Sequence, residues 1–341
     1  MSQETVGVGV IGIGRMGLLH CRMVAETPGL RLVAGASRAE VLRRQVEERF
    51  GVRTYADGHD LLVDPAVDAV VIATVSQTHE AWAIDALGAG KHVVVDKPMA
   101  LSAAGVERMM AASRQAGRLL TCFQNRRWDP DFLAVQKLLA QGPLGKVFII
   151  ESRALGYGAG WPGWGAAGMA HPWRVHREDG GGMLFDWGPH LIDQALRLVA
   201  SPLQSVYGDL QSRVWSTEVD DHFSCALRFA GGAVVRLEAS NDVRLPVPRW
   251  LLVGTAGTAC SESAGRGAAG CLRIQAGDPG AAETVRPYPA GTEVCLPFYE
   301  NWYRAMAEGA PLAVPAEETL AVLRVLDMVR ASAEGDEVLR A

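Results

Sequence analysis

"VIGIGRMG", residues 10–17, decides the fold. Val6 to Ile13 is apolar and β-branched, reads as a strand, and ends in glycines. Arg15 to Glu26 then resumes with helical spacing at Met16, Leu19, Met23 and Val24, and Pro28-Gly29 closes it. Gly12, Gly14 and Gly17 thus form G-x-G-x-x-G at a strand-to-helix junction. The first glycine permits a tight turn and the second lets the backbone approach a pyrophosphate. The third lets helix and strand pack closely, which leaves the helix N-terminus open to an anion. A glycine turn used only for packing would look similar, but this one opens the first of several βαβ units. Gly12, Ile13, Gly14, Arg15, Met16 and Gly17 are therefore the expected cradle of a dinucleotide.

Outward from this loop the rhythm continues. Leu30 to Ala36, Val67 to Thr74, Lys91 to Val95 and Leu119 to Phe123 read as strands. Glu40 to Phe50, His79 to Leu87 and Ser102 to Gln115 read as helices between them, with Ser102 as a cap. Such alternation predicts right-handed crossovers and a doubly wound parallel sheet, a Rossmann domain over residues 1–124. From about Gly145 the pattern changes. "KVFIIESRA" is a strand, Met183 to Val199 is helical, and "HFSCALRFAGGAVVRLEAS" reads as a hairpin turning at Gly231-Gly232. Residues 125–341 are expected to form a second α/β domain with an open, mostly antiparallel sheet. Its last helices, from Glu300 and from Ala316, are expected to pack back on the first domain.

Composition sets the class. The 341 residues suit two domains, and 49% hydrophobic with 21% charged residues excludes disorder. A net charge of −5 without a basic block gives no general attraction for nucleic acid. Six scattered cysteines, no CxxC, no signal-like N-terminus and no long apolar run predict a soluble, cytoplasmic protein with reduced thiols.

The end of the second strand should select the cofactor. An acid there would bond the ribose hydroxyls of NAD; "GASRAE" instead offers Ser37 and Arg38, with Glu40 slightly beyond. A hydroxyl followed by a guanidinium suits a 2′-phosphate, so NADP(H) is preferred and NAD(H) remains possible. Arg38 stacking on adenine or facing solvent is the plain alternative. A second oddity is "VVVDKPMA", residues 93–100, where a buried strand runs into Asp96-Lys97-Pro98. Lysine is costly to bury and proline stops the ladder, so this edge needs a reason. The carboxyl end of a parallel sheet is where ligands sit, which makes Lys97 a candidate site residue.

These pieces resemble the glucose-fructose oxidoreductase / inositol dehydrogenase (Gfo/Idh/MocA) family. "VIGIGRMG", "VVVDKP", "GGGMLFDWGPHLIDQAL" (180–196) and "SAEGDEV" (332–338) carry the resemblance over nearly the whole chain. "FQNRRWDPDF" (123–132) narrows it towards the NADP-dependent scyllo-inositol dehydrogenase branch. The resemblance implies a nicotinamide-dependent dehydrogenase acting on CH–OH groups of a sugar or cyclitol. It implies that Lys97 polarises the substrate oxygen, that His190 moves the hydroxyl proton, and that Asp186 positions the hydroxyl. It implies a homo-oligomer, dimer or tetramer, built through the open sheet. Asp96 stands where the family usually has glutamate. "ATVSQTH" keeps Thr74 and His79 but lacks the family's Pro-Asn pair, which puts contacts to the nicotinamide ribose in doubt. Thr74, His79, Asp96, Lys97, Asn125 and Arg126 are further candidates for cofactor contact.

In the helical reading Pro189 fits an early position, with Asp186 just before the helix; alternatively Asp186, His190 and Asp193 share one face. Asp193 is a candidate for supporting or substrate contacts. Trp161, Trp164 and Trp173 form either a sugar-stacking wall or a subunit contact. His171 and His176 match no common metal spacing, and no metal is expected. Two other functions compete: a glycoside hydrolase using tightly held NAD for transient oxidation, and a silent cofactor-binding regulator. Ser37-Arg38 speaks against the first. Retention of Lys97, Asp186 and His190 speaks against the second.

Overall fold

We describe residues 5–157, 173–263, 268–278, 280–291 and 295–341 of a computed structural model of the protein. The chain divides into two compact units. The first comprises Met1–Gln124, Trp161–Gly180 and Val294–Leu323; the second comprises Asn125–Gly160, Gly181–Glu293 and Arg324–Ala341.

In the first unit, strands β1 (Val6–Ile11), β2 (Leu30–Ala36), β3 (Arg53–Tyr55), β4 (Ala69–Ile72), β5 (His92–Val95) and β6 (Leu120–Cys122) alternate with helices. These are α1 (Arg15–Glu26), α2 (Glu40–Phe50), α3 (Gly58–Leu62), α4 (His79–Gly88) and α5 (Ala103–Ala116). The sheet order is β3-β2-β1-β4-β5-β6, parallel throughout. Val8, Val10, Val70, Val71 and Val93 to Val95 are wholly buried, as strands covered on both faces must be. The strand order reverses between β1 and β4, which opens a crevice at their carboxyl ends. Ser102 caps α5 as expected, its hydroxyl accepting from the Gly105 amide at 3.2 Å.

The second unit holds α6 (Pro130–Gln141), β7 (Val147–Leu155), α7 (Met183–Leu198), β8 (Leu203–Gln211), β9 (His222–Phe229) and β10 (Val234–Ser240). It continues with β11 (Trp250–Gly254), β12 (Gly257–Ser263), β13 (Gly270–Ala276) and β14 (Thr284–Tyr288). With β15 (Leu339–Arg340) these make a nine-stranded sheet, β14-β13-β12-β11-β7-β10-β9-β8-β15. All its pairs are antiparallel except β7 with β10. The hairpin turns at Gly231-Gly232, where Gly232 has φ +89° and its amide donates to the Phe229 carbonyl. Alternation along β7 and β10 sends Ile150, Ala154, Val235 and Leu237 into the core. On the opposite face Arg153 pairs with Glu238 and Arg236 with Glu151 across the strands, and Arg153 also pairs with Glu151 along β7.

Two helices, α8 (Leu296–Glu308) and α9 (Ala316–Gly335), complete the chain, and α8 packs on α1 within the first unit. Among the described residues no helix is long and apolar enough to cross a membrane.

Candidate active site

The glycine loop has the shape a dinucleotide needs. Gly12 sits at φ +95°, and a Cβ there would lie 2.6 Å from the Ala73 carbonyl carbon. A Cβ on Gly17 would meet the Gly12 oxygen at 2.1 Å, so close helix–strand packing forbids a side chain. Around Gly14 nothing lies within 4 Å of where a Cβ would be. Gly14 is also the N-cap residue of α1, whose first turn has no side-chain cap and no acid. A helix start with no side chain capping it, beside open space, is what a pyrophosphate requires.

At the end of β2 the Ser37 amide donates to the Tyr55 carbonyl on β3, and the Ser37 hydroxyl accepts from Ala39 at 3.3 Å. Arg38 is exposed. Arg43, from α2, donates to the carbonyls of Ser37 (2.7 Å) and Arg38 (3.1 Å), bringing a second guanidinium to this turn. Glu40, the nearest acid, is held by Arg44 at 2.5 Å. The turn therefore carries positive charge and no free carboxylate to repel a phosphate.

At the end of β5, Asp96 is 7% exposed and Lys97 is half-buried. Asp96 accepts from the Lys97 amide at 2.8 Å and faces His20 Nε2 at 3.7 Å. Burial pushes the Asp96 carboxyl up, but His20 and Lys97 outweigh it and hold it below the ordinary value. His79 is also buried; its Nδ1 lies 2.8 Å from the Pro98 carbonyl and its Nε2 lies 3.1 Å from that of Thr74. Its ring therefore braces the Lys97 turn against the end of β4, and burial pushes its pKa down. Thr74 Oγ1 takes a 2.7 Å bond from Thr78.

Gln124 lies two residues past Cys122, which pairs with Val95; Lys97 lies two past Val95. Its side-chain amide is buried, and neither Nε2 nor Oε1 has a hydrogen-bond partner among the described residues. A buried orphan amide beside Lys97 fits a ligand carrying a carboxamide, as nicotinamide does.

In the second unit, α7 follows the expected helix from Met183 and not the alternative that starts it after Asp186. It begins at Met183, so Asp186 lies in its first turn and Pro189 lies inside it. The cause is a cap from elsewhere in the chain. The Asp220 carboxylate accepts from the Leu184 amide at 2.7 Å, and its carbonyl accepts from Met183 at 2.9 Å. Gly182, at φ +100°, leaves room: a Cβ there would lie 2.2 Å from Asp220 Oδ1. Burial pushes the Asp220 carboxyl up to about 7.

With α7 begun early, Asp186, His190 and Asp193 fall on one face at i, i+4 and i+7. Asp186 is half-buried, and His190 is 4% exposed with its ring edge-on to Trp187. Asp193 faces inward, where Arg127 grips it at both oxygens, Nε to Oδ2 at 2.9 Å. It is a strut of this unit.

Asn125 and Arg126 form a 3₁₀ turn with Arg127 and Trp128. The Arg126 guanidinium lies 4.4 Å over the Trp187 ring and bonds Asp129, and Gln194 holds its carbonyl at 2.7 Å. Trp173 is half-buried with the Arg174 guanidinium 4.2 Å over its ring. Trp161, Trp164 and His171 lie outside the described residues. Arg43, His20 and Gln124 lie beside candidate residues of the first unit, and Asp220 beside those of the second, with no local pattern to mark them.

Residues 6–124 match the oxidoreductase family with NAD-binding Rossmann fold, and residues 132–260 match the GFO/IDH/MocA C-terminal domain. The uncharacterized oxidoreductase YdgJ of Escherichia coli is 32% identical over 75% of this chain and 70% of its own. The scyllo-inositol 2-dehydrogenase (NADP(+)) IolW of Bacillus subtilis is 28% identical over 97% of this chain and 94% of its own. The solved structure of an NAD-binding protein from Listeria innocua superposes with a TM-score of 0.87 at 29% identity, covering 99% of this chain and 97% of that one. The open glycine cradle, the lysine closing β5 and both matched domains lead to one conclusion: the chain belongs to the GFO/IDH/MocA family of NAD(P)-binding oxidoreductases.

Proposed function

We propose that this dehydrogenase transfers a hydride between NADP(H) and a secondary alcohol or ketone of a sugar or cyclitol. The observation that carries the cofactor choice is the turn after β2, where Ser37, Arg38 and Arg43 gather and Glu40 is engaged by Arg44. The cyclitol class is supported by the likeness to IolW, itself a scyllo-inositol dehydrogenase using NADP(+). Gly12 to Gly17 would hold the pyrophosphate, Ser37 and Arg38 the 2′-phosphate, and Gln124 the carboxamide; Thr74, Asn125 and Arg126 are proposed as neighbouring contacts. When bound, the nicotinamide supplies the hydride acceptor or donor.

The chain's own residues would do the rest. Lys97 hydrogen-bonds the substrate oxygen and stabilises charge growing there. Asp186 orients the hydroxyl. His190 removes its proton during oxidation and returns it during reduction, work suited to an imidazole near neutrality. These roles require Lys97, of the first unit, to meet Asp186 and His190, of the second, around the reacting carbon. A screen of inositols and sugars with NADP and NAD tests the whole reading.

Arg38→Ala should weaken NADP(H) binding by about 1.5–3 kcal/mol, as expected for a charge-assisted contact, and leave NAD(H) nearly unchanged. Fluorescence titration of both cofactors checks this. Equal losses, or a parent enzyme that prefers NAD, would overturn the assignment.

We also propose a homo-oligomer, dimer or tetramer, through the open face of the nine-stranded sheet. Its cross-strand array of Glu151, Arg153, Arg236 and Glu238 alternates in sign, which suits a second copy related by a two-fold axis. Light scattering at micromolar protein should give a multiple of 36.5 kDa, and a monomeric mass refutes it.

A further inference from the structure

Three buried polar side chains stand in line behind Lys97. Tyr299, on α8, lies with its hydroxyl 2.6 Å from His20 Nδ1, on α1. His20 Nε2 lies 3.7 Å from Asp96 Oδ2, and Asp96 Oδ1 accepts from the Lys97 amide at 2.8 Å. His20 and Tyr299 are both fully buried. Burial, then the nearby Asp96 charge, pushes the Tyr299 hydroxyl well above its ordinary value, so it stays protonated. The phenol occupies Nδ1, which leaves Nε2 as the ring nitrogen that faces Asp96. Phe123, edge-on to His20 with ring centroids 4.7 Å apart, keeps the ring from turning.

We infer that Tyr299 and His20 are positioning residues: they fix the place of the Asp96 carboxyl and, through its bond to the Lys97 amide, set where Lys97 points. Neither touches substrate or cofactor. The functional consequence rests on the catalytic reading of Lys97; the effect on the lysine itself does not. α8, far along the chain, thereby becomes part of what tunes the β5 edge.

The test uses the full-length protein and the fact that it has only four lysines: Lys91, Lys97, Lys137 and Lys146. His20→Met removes the imidazole that faces Asp96, His20→Gln restores an N–H at a similar reach, and Tyr299→Phe removes the hydroxyl partner of Nδ1. In cofactor-free protein, Lys97 should react with trinitrobenzenesulfonate several-fold faster in His20→Met and Tyr299→Phe. The other three lysines, read by peptide mass, serve as internal references. His20→Gln should return most of the way. With NADPH, kcat should fall by roughly tenfold or more in His20→Met, while the NADPH KM stays within about twofold, as for a misplaced reacting group.

An unchanged Lys97 labelling rate in both His20→Met and Tyr299→Phe overturns the inference, even if both variants melt earlier. Should His20→Met not fold, Tyr299→Phe decides alone. Faster labelling with normal turnover in Lys97→Ala would keep the positioning chain and sink the catalytic reading.

Discussion

Lys97→Ala and His190→Asn are each expected to lower kcat by about a hundredfold or more, the range for removing a positioned acid, base or charge-stabilising group. Cofactor affinity should hardly change in either variant. The proposed pyrophosphate and adenosine contacts lie at Gly12 to Gly17 and at Ser37-Arg38, in loops that neither substitution touches. Asparagine cannot take the hydroxyl proton, so the loss in His190→Asn should fall on kcat and not on cofactor binding. Steady-state kinetics and fluorescence titration on the same preparations separate chemistry from binding. Normal turnover in either variant would show that the reacting groups lie elsewhere.

The second large effect is on stability. Asp193→Ala should destabilise the protein by about 3–5 kcal/mol, because it leaves the Arg127 guanidinium buried without its carboxylate. Both side chains are only 4% exposed, so water cannot replace the lost partner. In a chain of 341 residues, whose unfolding entropy is about 0.7 kcal/mol/K, this corresponds to a fall in melting temperature of roughly 4–7 °C. Replacing both residues with apolar ones of similar volume should recover most of the loss, since the cost lies in the orphaned charge. Urea unfolding of the single and double variants checks the pattern. A loss below about 1 kcal/mol in Asp193→Ala would mean that solvent reaches the pair.

What could be read without coordinates was what is local. The glycine loop, the lysine closing β5 and the strand–helix rhythm of the first unit are short-range patterns, and the structure shows each in place. The hairpin at Gly231-Gly232 is equally local. α6 carries its own signals, a proline in its first turn and Gly142 in the left-handed region after it, yet its apolar residues lack a strong stripe. β3, of three residues, is too short to show a period.

The start of α7 followed a different logic. Local rules place Pro189 near a helix start, and Asp220, 36 positions from Leu184, overrides them by supplying the cap. His20 and Tyr299 are 279 positions apart, and no pattern within a window could pair them. Arg43 lies on the charged surface of α2, where its reach back to the Ser37 carbonyl is invisible in a helical wheel. The candidate site was thus legible where backbone conformation dictates residue type, and hidden where side chains meet across the fold.

The return of α8 to the first unit has a consequence for how the protein is made. The β6 residue Thr121 bonds the Val314 carbonyl, and Phe123, just beyond β6, packs on Phe298 and Tyr299. At roughly 5–20 residues per second, a ribosome delivers α8 some 10–35 s after it has finished β6. During that interval the nascent Rossmann sheet shows an apolar edge where Phe123 waits for its covering aromatics. A chaperone that reads exposed aromatics would find this chain while it is still being translated, and would lose its grip once α8 docks.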